Sequence, residues 1–137
     1  MPSLAHSYIQ AKLIGALLSY EQYNVHSELT LTIQDKDYVP DIALYSKKSI
    51  DFFNDVIKMT EMPLLAVEVI SPTQSIKEIT DKFNIYFEAG IQSCWLVQPF
   101  PGIITVCTSQ TNKHTYANGE VVDEILNVRF PLKDIFS

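Results

Sequence analysis

The stretch from residue 64 to residue 98 constrains the fold most, because two apolar strands and an intervening helix follow one another within it. Residues 64–70 (LLAVEVI) are apolar except for Glu68, which is typical of a strand buried on both faces. An apolar stripe at helical spacing predicts a helix over 76–89, and 94–98 (CWLVQ) reads as a second buried strand. This succession predicts a βαβ unit with parallel strands and a right-handed crossover.

The rest of the chain adds one helix and several strands. In chain order, the patterns predict a helix over 3–20, a half-buried strand over 24–33, a strand over 38–45, a loop with a short helix near 52–58, a hairpin from 102–108 and 113–117, and a closing helical turn at 131–136. The expected order is α-β-β-β-α-β-β-β. The fold class is therefore α/β, or α+β with a mixed sheet. At 137 residues, without a linker or repeat, we expect a single domain over 1–137.

The charge composition limits how this chain can meet nucleic acid. Its formal net charge is −6 and its isoelectric point is near 4.9, which argues against binding by bulk positive charge. Arg129 is the only arginine, and arginine contacts to guanine are the commonest specific base readout. A nuclease is not excluded, because divalent cations can offset carboxylates locally.

No targeting signal is visible in the sequence. The first residues lack a charged segment followed by an apolar one, and no apolar stretch approaches the roughly 20 residues that span a bilayer. Cys94 and Cys107 lie in apolar contexts without metal-ligand spacing, which predicts two buried free thiols. We therefore expect a cytoplasmic protein with no membrane partner.

Three residues predict a site for phosphate chemistry. Glu68 lies in an apolar strand, where a carboxylate needs a hydrogen-bonded partner, a counter-charge or a metal. Asp41 follows Pro40 at the entry to another apolar strand, and Lys82 lies on the helix after Glu68. If the two strands are neighbours, the two acids converge on a pocket that suits Mg²⁺. The lysine can then orient or help to deprotonate an attacking water.

Each of these residues also has a structural explanation. A Pro-Asp pair is a common strand entry, and Lys82 can be a solvated helix residue or a plain counter-ion that neutralises Glu68. Glu78 fits a capping box with Ser75 at the start of the predicted helix. The residues alone leave the metal site and the structural ion pair both open.

Three segments together resemble a known family. "VPDIALY", "PLLAVEVISPTQS" and "DKFNIYFEAGIQSCWLVQP" are similar to the Uma-type restriction endonuclease family, common in cyanobacteria and long carried as a domain of unknown function. That family belongs to the PD-(D/E)XK nuclease superfamily, and the resemblance runs from the first helix to "LKDIF". It implies a restriction-endonuclease-like core, a central mixed β-sheet flanked by helices.

The resemblance also implies roles for individual residues. Asp41 and Glu68 correspond to the metal-binding acids, and the backbone carbonyl of Val69 to a further ligand. The lysine of the motif falls at Ile70, so that this chain lacks it there. In relatives with the same departure the lysine lies on the next helix, where Lys82 is the candidate.

Further positions are accessory or depart from the family pattern. Tyr86 matches a helical tyrosine that can contact phosphate or simply pack in the core. Glu78 matches a usual acid, whereas Gln98 replaces one. Many relatives carry an N-terminal segment with a glutamate before the first helix, and Glu28 either substitutes for that acid or is a surface residue. His6 matches a frequent histidine, with a surface role near the helix cap equally open.

The resemblance leads to a functional expectation. We expect a Mg²⁺-dependent endonuclease, with Mn²⁺ as a possible substitute, that hydrolyses DNA through water attack and leaves a 5′-phosphate and a 3′-hydroxyl. Contacts to the DNA would be mainly to its backbone, from lysines 36, 47, 48, 58 and 77. Superfamily members often pair, so a homodimer is expected. The alternatives are an inactive nuclease-fold module that binds or regulates, and a hydrolase acting on RNA or a nucleotide.

Overall fold

The computed structural model describes residues 2–137, and these form two α-helices, eleven strands and one short 3₁₀ helix. Before the second helix the elements are α1 (Leu4–Leu18), β1 (Tyr23–Ser27), β2 (Thr30–Ile33), β3 (Lys36–Tyr38), β4 (Ile42–Ser46), β5 (Lys58–Met59) and β6 (Leu65–Val69). They continue with α2 (Ile76–Glu88), β7 (Ser93–Gln98), β8 (Ile103–Cys107), β9 (Lys113–Tyr116), β10 (Glu120–Asp123), β11 (Val128–Pro131) and the 3₁₀ helix Leu132–Asp134.

A six-stranded mixed sheet forms the centre of the molecule. Its strand order is β1-β4-β6-β7-β8-β9, and every neighbouring pair is antiparallel except β6 and β7. The parallel pair is joined through α2, which confirms the predicted βαβ unit. The architecture is α+β with a mixed sheet, as the sequence predicts.

The two helices cover opposite faces of this sheet. Ser3 caps α1 by accepting a hydrogen bond from the His6 amide, and the residues Ile9, Leu13 and Leu17, spaced four apart, pack with the core on one face. Ser75 caps α2 in the same way, and Ile79, Phe83 and Tyr86 bury the other face against Ala66 and Cys94. Within residues 2–137, neither helix is long and apolar enough to cross a bilayer. Cys94 and Cys107 are buried and free, as predicted.

The single strand expected over 24–33 is wrong, because the chain turns in its middle. Glu28 adopts φ 53°, a left-handed conformation, and separates β1 in the central sheet from β2 in a small sheet of order β3-β2-β5. The Glu28 amide donates to the Asp41 carbonyl at 3.1 Å, which fixes this turn beside the start of β4. The apolar and polar residues alternate without a break through this segment, so the pattern does not reveal that the chain passes from the central sheet to the small sheet.

The short helix expected near 52–58 is also wrong. The carboxylate of Asp51 accepts hydrogen bonds from the amides of Phe53 and Asn54, and this local turn competes with helical hydrogen bonding. The segment then ends in β5, which pairs in parallel with β2. The structure thus has six strands before α2 and five after it, against three on each side in the expected order.

The hairpin of β10 and β11, which the sequence patterns did not predict, is tied to the core by a buried carboxylate. Asp123 is almost fully buried, and it accepts hydrogen bonds from the indole of Trp95 at 2.8 Å and the amide of Leu126 at 3.1 Å. The Trp95 side chain is itself fully buried beside Phe130 of β11. One carboxylate therefore connects the central sheet to the C-terminal hairpin.

Removing this carboxylate should destabilise the fold. Asp123→Ala leaves two buried donors without acceptors, which we expect to lower the free energy of unfolding by about 3 kcal/mol. Asp123→Asn keeps one acceptor oxygen and should lose less. Urea denaturation of these variants and of Glu124→Ala, an exposed neighbour, measures the effect; equal stability of Asp123→Ala and Glu124→Ala would contradict it.

Candidate active site

The pairing of β4 with β6 brings two acidic residues to one end of the central sheet. The antiparallel register aligns Ile42 with Val67, and one further step places Asp41 opposite Glu68. Cross-strand partners in such a pair point to the same face. The condition set by the sequence argument, that these two strands are neighbours, is therefore met, and the two acids converge.

Asp41 is held by contacts from three parts of the chain. Its Oδ2 accepts a 2.7 Å hydrogen bond from the Val69 amide and lies 3.1 Å from His6 Nε2. Its carbonyl accepts from Gln10 Nε2 at 3.1 Å and from the Glu28 amide. Within residues 2–137 no hydrogen bond reaches Oδ1, so one carboxylate oxygen remains available. Burial raises the pKa of Asp41, opposed by the Val69 hydrogen bond, His6 and Lys82.

Glu68 is the more deeply buried acid, with 4% of its surface exposed. The Tyr86 hydroxyl donates to its Oε2 at 2.9 Å, and Lys82 Nζ lies 3.7 Å from Oε1. The pKa of Glu68 is raised to about 7, mainly because the carboxylate is buried; Lys82 lowers the pKa, the Asp41 charge raises it, and the Tyr86 hydrogen bond lowers it. This carboxylate therefore titrates near neutral pH, where a nearby cation decides its ionisation.

The two acids open into a polar cavity of about 350 Å³, named here the Asp41–Glu68 cleft. Its lining residues are Pro2, His6, Glu28, Val39, Asp41, Glu68, Ser71, Thr73, Gln74 and Lys82. Lys82 is the only lysine in this set, with 28% of its side chain exposed against 5% for Glu68. The buried Glu68 carboxylate and the partly exposed Lys82 ammonium group thus meet at the wall of the cleft.

The structure places the other sequence candidates as follows. Glu28 lines the cleft, exposed, with its carboxylate 3.3 Å from Gln10 Nε2. Val69 contacts Asp41 through its amide. Tyr86 is fully buried beneath Glu68 rather than in the cleft, and the burial and the Glu68 charge raise its pKa. Glu78 is exposed at the start of α2 and does not line the cleft.

The lysines expected to contact DNA lie outside the cleft lining. Three of them form ion pairs on the surface: Lys48 with Glu61, Lys58 with Asp37 and Lys77 with Asp81. Lys36 borders a different cavity, and Lys47 is exposed beyond the end of β4. The cleft itself therefore carries little positive charge apart from Lys82.

Two residues of α1 belong to the site although the sequence argument left the role of one open and did not name the other. His6 and Gln10, one helical turn apart, are both buried and both reach Asp41. They share the covered side of α1 with Ile9 and Leu13, where polar side chains need partners. Their position on the buried side of α1 could have predicted that both need polar partners. Gln10 was not predicted as a site residue because its partners, Glu28 and Asp41, lie far away in the sequence.

The donor set of the cleft fits a hard divalent cation. Two carboxylates converge, the free Oδ1 of Asp41 faces no competing donor within residues 2–137, and the ligand atoms are oxygens. Mg²⁺ binds through one or two carboxylates and completes its shell with water and substrate phosphate. No group of three or more His, Cys, Asp or Glu side chains in the described chain is arranged around a common metal position.

The shifted pKa of Glu68 predicts a pH-dependent stability. Between pH 4.5 and about 7 the unfolded chain ionises Glu68 before the folded chain does, so stability falls as pH rises through this window. Glu68→Gln removes this loss and should gain about 1–3 kcal/mol over wild type at pH 8, without divalent cations, but little at pH 4. Urea denaturation at both pH values measures it, with the exposed Glu61→Gln as control. A pH-independent difference would contradict the buried charge.

A solved structure shares this fold. It is described as a "putative nuclease belonging to DUF820" from Anabaena variabilis, with a TM-score of 0.82 and 22% sequence identity. The match covers 99% of this chain and 82% of that chain. At this identity the likeness shows the fold alone. No curated protein matches the chain.

A family model that matches nearly the whole chain shows the sequence family. The model of the Uma2 family, described as "Putative restriction endonuclease", matches residues 1–132. This range contains α1, the β4–β6 pair, α2 and the whole central sheet. The resemblance drawn from the PD and VEVISP motifs is thereby confirmed, and the chain belongs to the Uma2 family.

Proposed function

We propose that this protein is a Mg²⁺-dependent endonuclease that hydrolyses DNA phosphodiester bonds in the Asp41–Glu68 cleft. The observation that carries the proposal is the convergence of Asp41, Glu68 and Lys82 on one open polar cavity. Two acids and a cation at the end of paired strands form the constellation that metal-assisted phosphodiester hydrolysis requires. The family description and the name of the structural neighbour point to the same class of chemistry.

Asp41, Glu68 and the carbonyl of Val69 are the residues that would hold the cation. When bound, Mg²⁺ supplies Lewis acidity to the scissile phosphate and lowers the pKa of the attacking water; Mn²⁺ can substitute. Val69 and His6 hold Oδ2 of Asp41 in place, which leaves Oδ1 toward the cleft. Tyr86 fixes Glu68 from the buried side through Oε2. The chain thus holds one oxygen of each acid, which leaves Oδ1 of Asp41 for a cation and Oε1 of Glu68 beside Lys82.

Lys82 acts on the substrate side of the same acids. Its ammonium group lies 3.7 Å from Glu68 Oε1, longer than a close ion pair, and part of its side chain is exposed. It can therefore turn toward a phosphate oxygen and stabilise the negative charge that develops as water attacks phosphorus. A new P–O bond forms from the water, the bond to the 3′ oxygen breaks, and the products carry a 5′-phosphate and a 3′-hydroxyl.

DNA recognition would rest on the backbone rather than on base sequence. The only arginine, Arg129, pairs with Glu120 on the C-terminal hairpin and is not part of the cleft. The cleft offers hydroxyl and amide side chains at Ser71, Thr73 and Gln74, which are common phosphate partners. Low sequence preference is therefore expected.

A second candidate function is a non-cutting module of the same fold, which binds or regulates a partner. It is favoured by the contacts that Glu68 already makes, since Lys82 and Tyr86 together can satisfy a buried carboxylate without any metal. The scarcity of lysine in the cleft points the same way. The open cavity and the free Asp41 oxygen favour the enzyme.

Cleavage of supercoiled plasmid tests the endonuclease directly. Wild-type protein with Mg²⁺ or Mn²⁺ should nick the plasmid, and Asp41→Ala and Glu68→Ala should reduce cutting to background because each loses a cation ligand. Lys82→Ala should lower the rate by about a hundredfold. Lys77→Ala, on the same helix but paired on the surface with Asp81, should stay within about twofold of wild type.

Thermal stability separates the two candidates. Mg²⁺ that binds the folded protein raises its melting temperature, and this rise should vanish in Asp41→Ala. Stabilisation of wild type by Mg²⁺ without any cutting of DNA or RNA would favour the non-cutting module. Cutting that persists equally in all three site variants would place the activity elsewhere or in a contaminant.

His6 should set the affinity for the cation through Asp41. An ionised carboxylate only accepts hydrogen bonds, so His6 Nε2 donates to Oδ2 and His6→Leu frees the acid to rotate. We expect half-maximal cutting, and half-maximal thermal stabilisation, to need about tenfold more Mg²⁺. His6→Gln places an amide donor near the same position and should restore most of the affinity. His114→Leu, an exposed histidine outside the cleft, is the control, and equal Mg²⁺ requirements for both leucine variants would contradict this role.

A further inference from the structure

A concentrated apolar surface lies in the loop between β4 and β5. Five large apolar side chains within residues 50–57, named here the apolar loop, are exposed: Ile50 45%, Phe52 86%, Phe53 99%, Val56 54% and Ile57 84%. Every residue from 46 to 58 is exposed. Single exposed apolar residues are ordinary, but five within eight positions form a contiguous patch of the kind that marks an interaction site.

The apolar loop holds a defined shape although nothing covers it. Asp51 accepts hydrogen bonds from the amides of Phe53 and Asn54 at 3.0 and 3.3 Å and from the Asn54 side chain at 2.8 Å. On either side, the chain is fixed by the Asn24 contact to the Lys48 carbonyl and by the pairing of β5 with β2. The two phenylalanines are thus presented on a fixed turn, which reduces the entropy lost on binding.

The size of the patch matches one side of a stable protein interface. Five side chains with these exposures offer roughly 700 Å² of apolar surface, and a standard interface buries about 800 Å² on each partner. Paired aromatic side chains at the centre of such a patch are the usual anchors. A second protein surface of equal size is therefore a fitting occupant.

The charges around the patch suit a second copy of the same chain. Lys47, Lys48 and Lys58 flank the loop, and Asp51 and Asp55 lie within it. Lys48 and Lys58 already form exposed ion pairs with Glu61 and Asp37, which can exchange partners at low cost. In a two-fold arrangement each loop meets its own counterpart, so lysines at the edge of one copy face aspartates within the other. The interspersed acids disfavour a membrane surface or nucleic acid, which attract runs of positive charge.

We propose that the apolar loop is the contact surface of a two-fold symmetric homodimer. The apolar loop begins beyond Ser46, at the end of β4 away from Asp41, and leads into Lys58, which pairs with Thr30 in the small sheet. Each Asp41–Glu68 cleft is lined by residues of a single chain, so that one chain can cut without its partner. This consequence for cutting rests on the proposed function, whereas the dimer does not.

Sedimentation equilibrium of the full chain over a range of concentrations tests the dimer. Wild type should be dimeric at micromolar concentration, and Phe52→Ser/Phe53→Ser should raise the dissociation constant by about tenfold or more. Asp55→Lys keeps every apolar side chain but adds like charge to the contact, and should weaken it more at low than at high salt. Phe100→Ser removes an equally exposed phenylalanine, 93% exposed, outside the loop and should leave the dimer unchanged. Circular dichroism confirms that each variant is folded.

The outcomes separate this proposal from others. A wild-type monomer at all concentrations, or a dimer that the double variant leaves intact, would overturn it. A monomer whose plasmid binding is lost in the double variant would instead make the loop a nucleic-acid contact. If the dimer is found, the proposed function predicts that the double variant still nicks plasmid at the wild-type rate per chain. If neither wild type nor any variant nicks the plasmid, the proposed nuclease activity is contradicted and the proposed dimer is not.

Discussion

The burial of the Glu68 carboxylate in β6 is the constraint around which the candidate site is built. A charge in a central strand is tolerated only where the neighbouring elements supply partners, and here α2 supplies both Tyr86 and Lys82. The pairing with β4 brings a second acid to the same end, and α1 then supplies His6 and Gln10 to hold Asp41. Both helices therefore contribute side chains that hold the two acids as well as side chains that pack in the core.

The two acids of the cleft carry more negative charge than Lys82 can neutralise. Two acids share one cleft, each with a raised pKa, and desolvation is the largest cause for both. Lys82 offsets this only partly, since its contact with Glu68 is long and its side chain is partly exposed. A cation in the cleft and a proton on Glu68 compete to neutralise the same charge. The cost of burying the acids and the cation binding proposed for them therefore have one physical origin.

The sequence predicted those elements whose signal is local. The βαβ unit and the cap at Ser75 follow from hydrophobic period and turn residues, and the structure confirms them. The pairing of the two acidic strands was only a condition in the sequence argument, and the structure supplies it. The break at Glu28 was missed because a left-handed residue leaves no mark in an alternating pattern. The roles of His6 and Gln10 were missed because their partner, Asp41, is more than 30 residues away. Long-range hydrogen bonds between side chains have no sequence period.

The departure from the family motif at Ile70 has a geometric explanation in this fold. Positions 68 and 70 of an extended chain point to the same face, which is why a lysine at position 70 would reach the Glu68 carboxylate from the strand. Here Ile70 instead packs against the cluster beneath α2, the same cluster that includes Phe83 and Tyr86. Because α2 covers that face of the sheet, Lys82 projects toward Glu68 from the helix side and arrives at its Oε1. The motif's lysine can therefore be placed on the helix instead of the strand and still reach the Glu68 carboxylate. Position 70 on the strand is then free to carry an apolar residue that packs in the core.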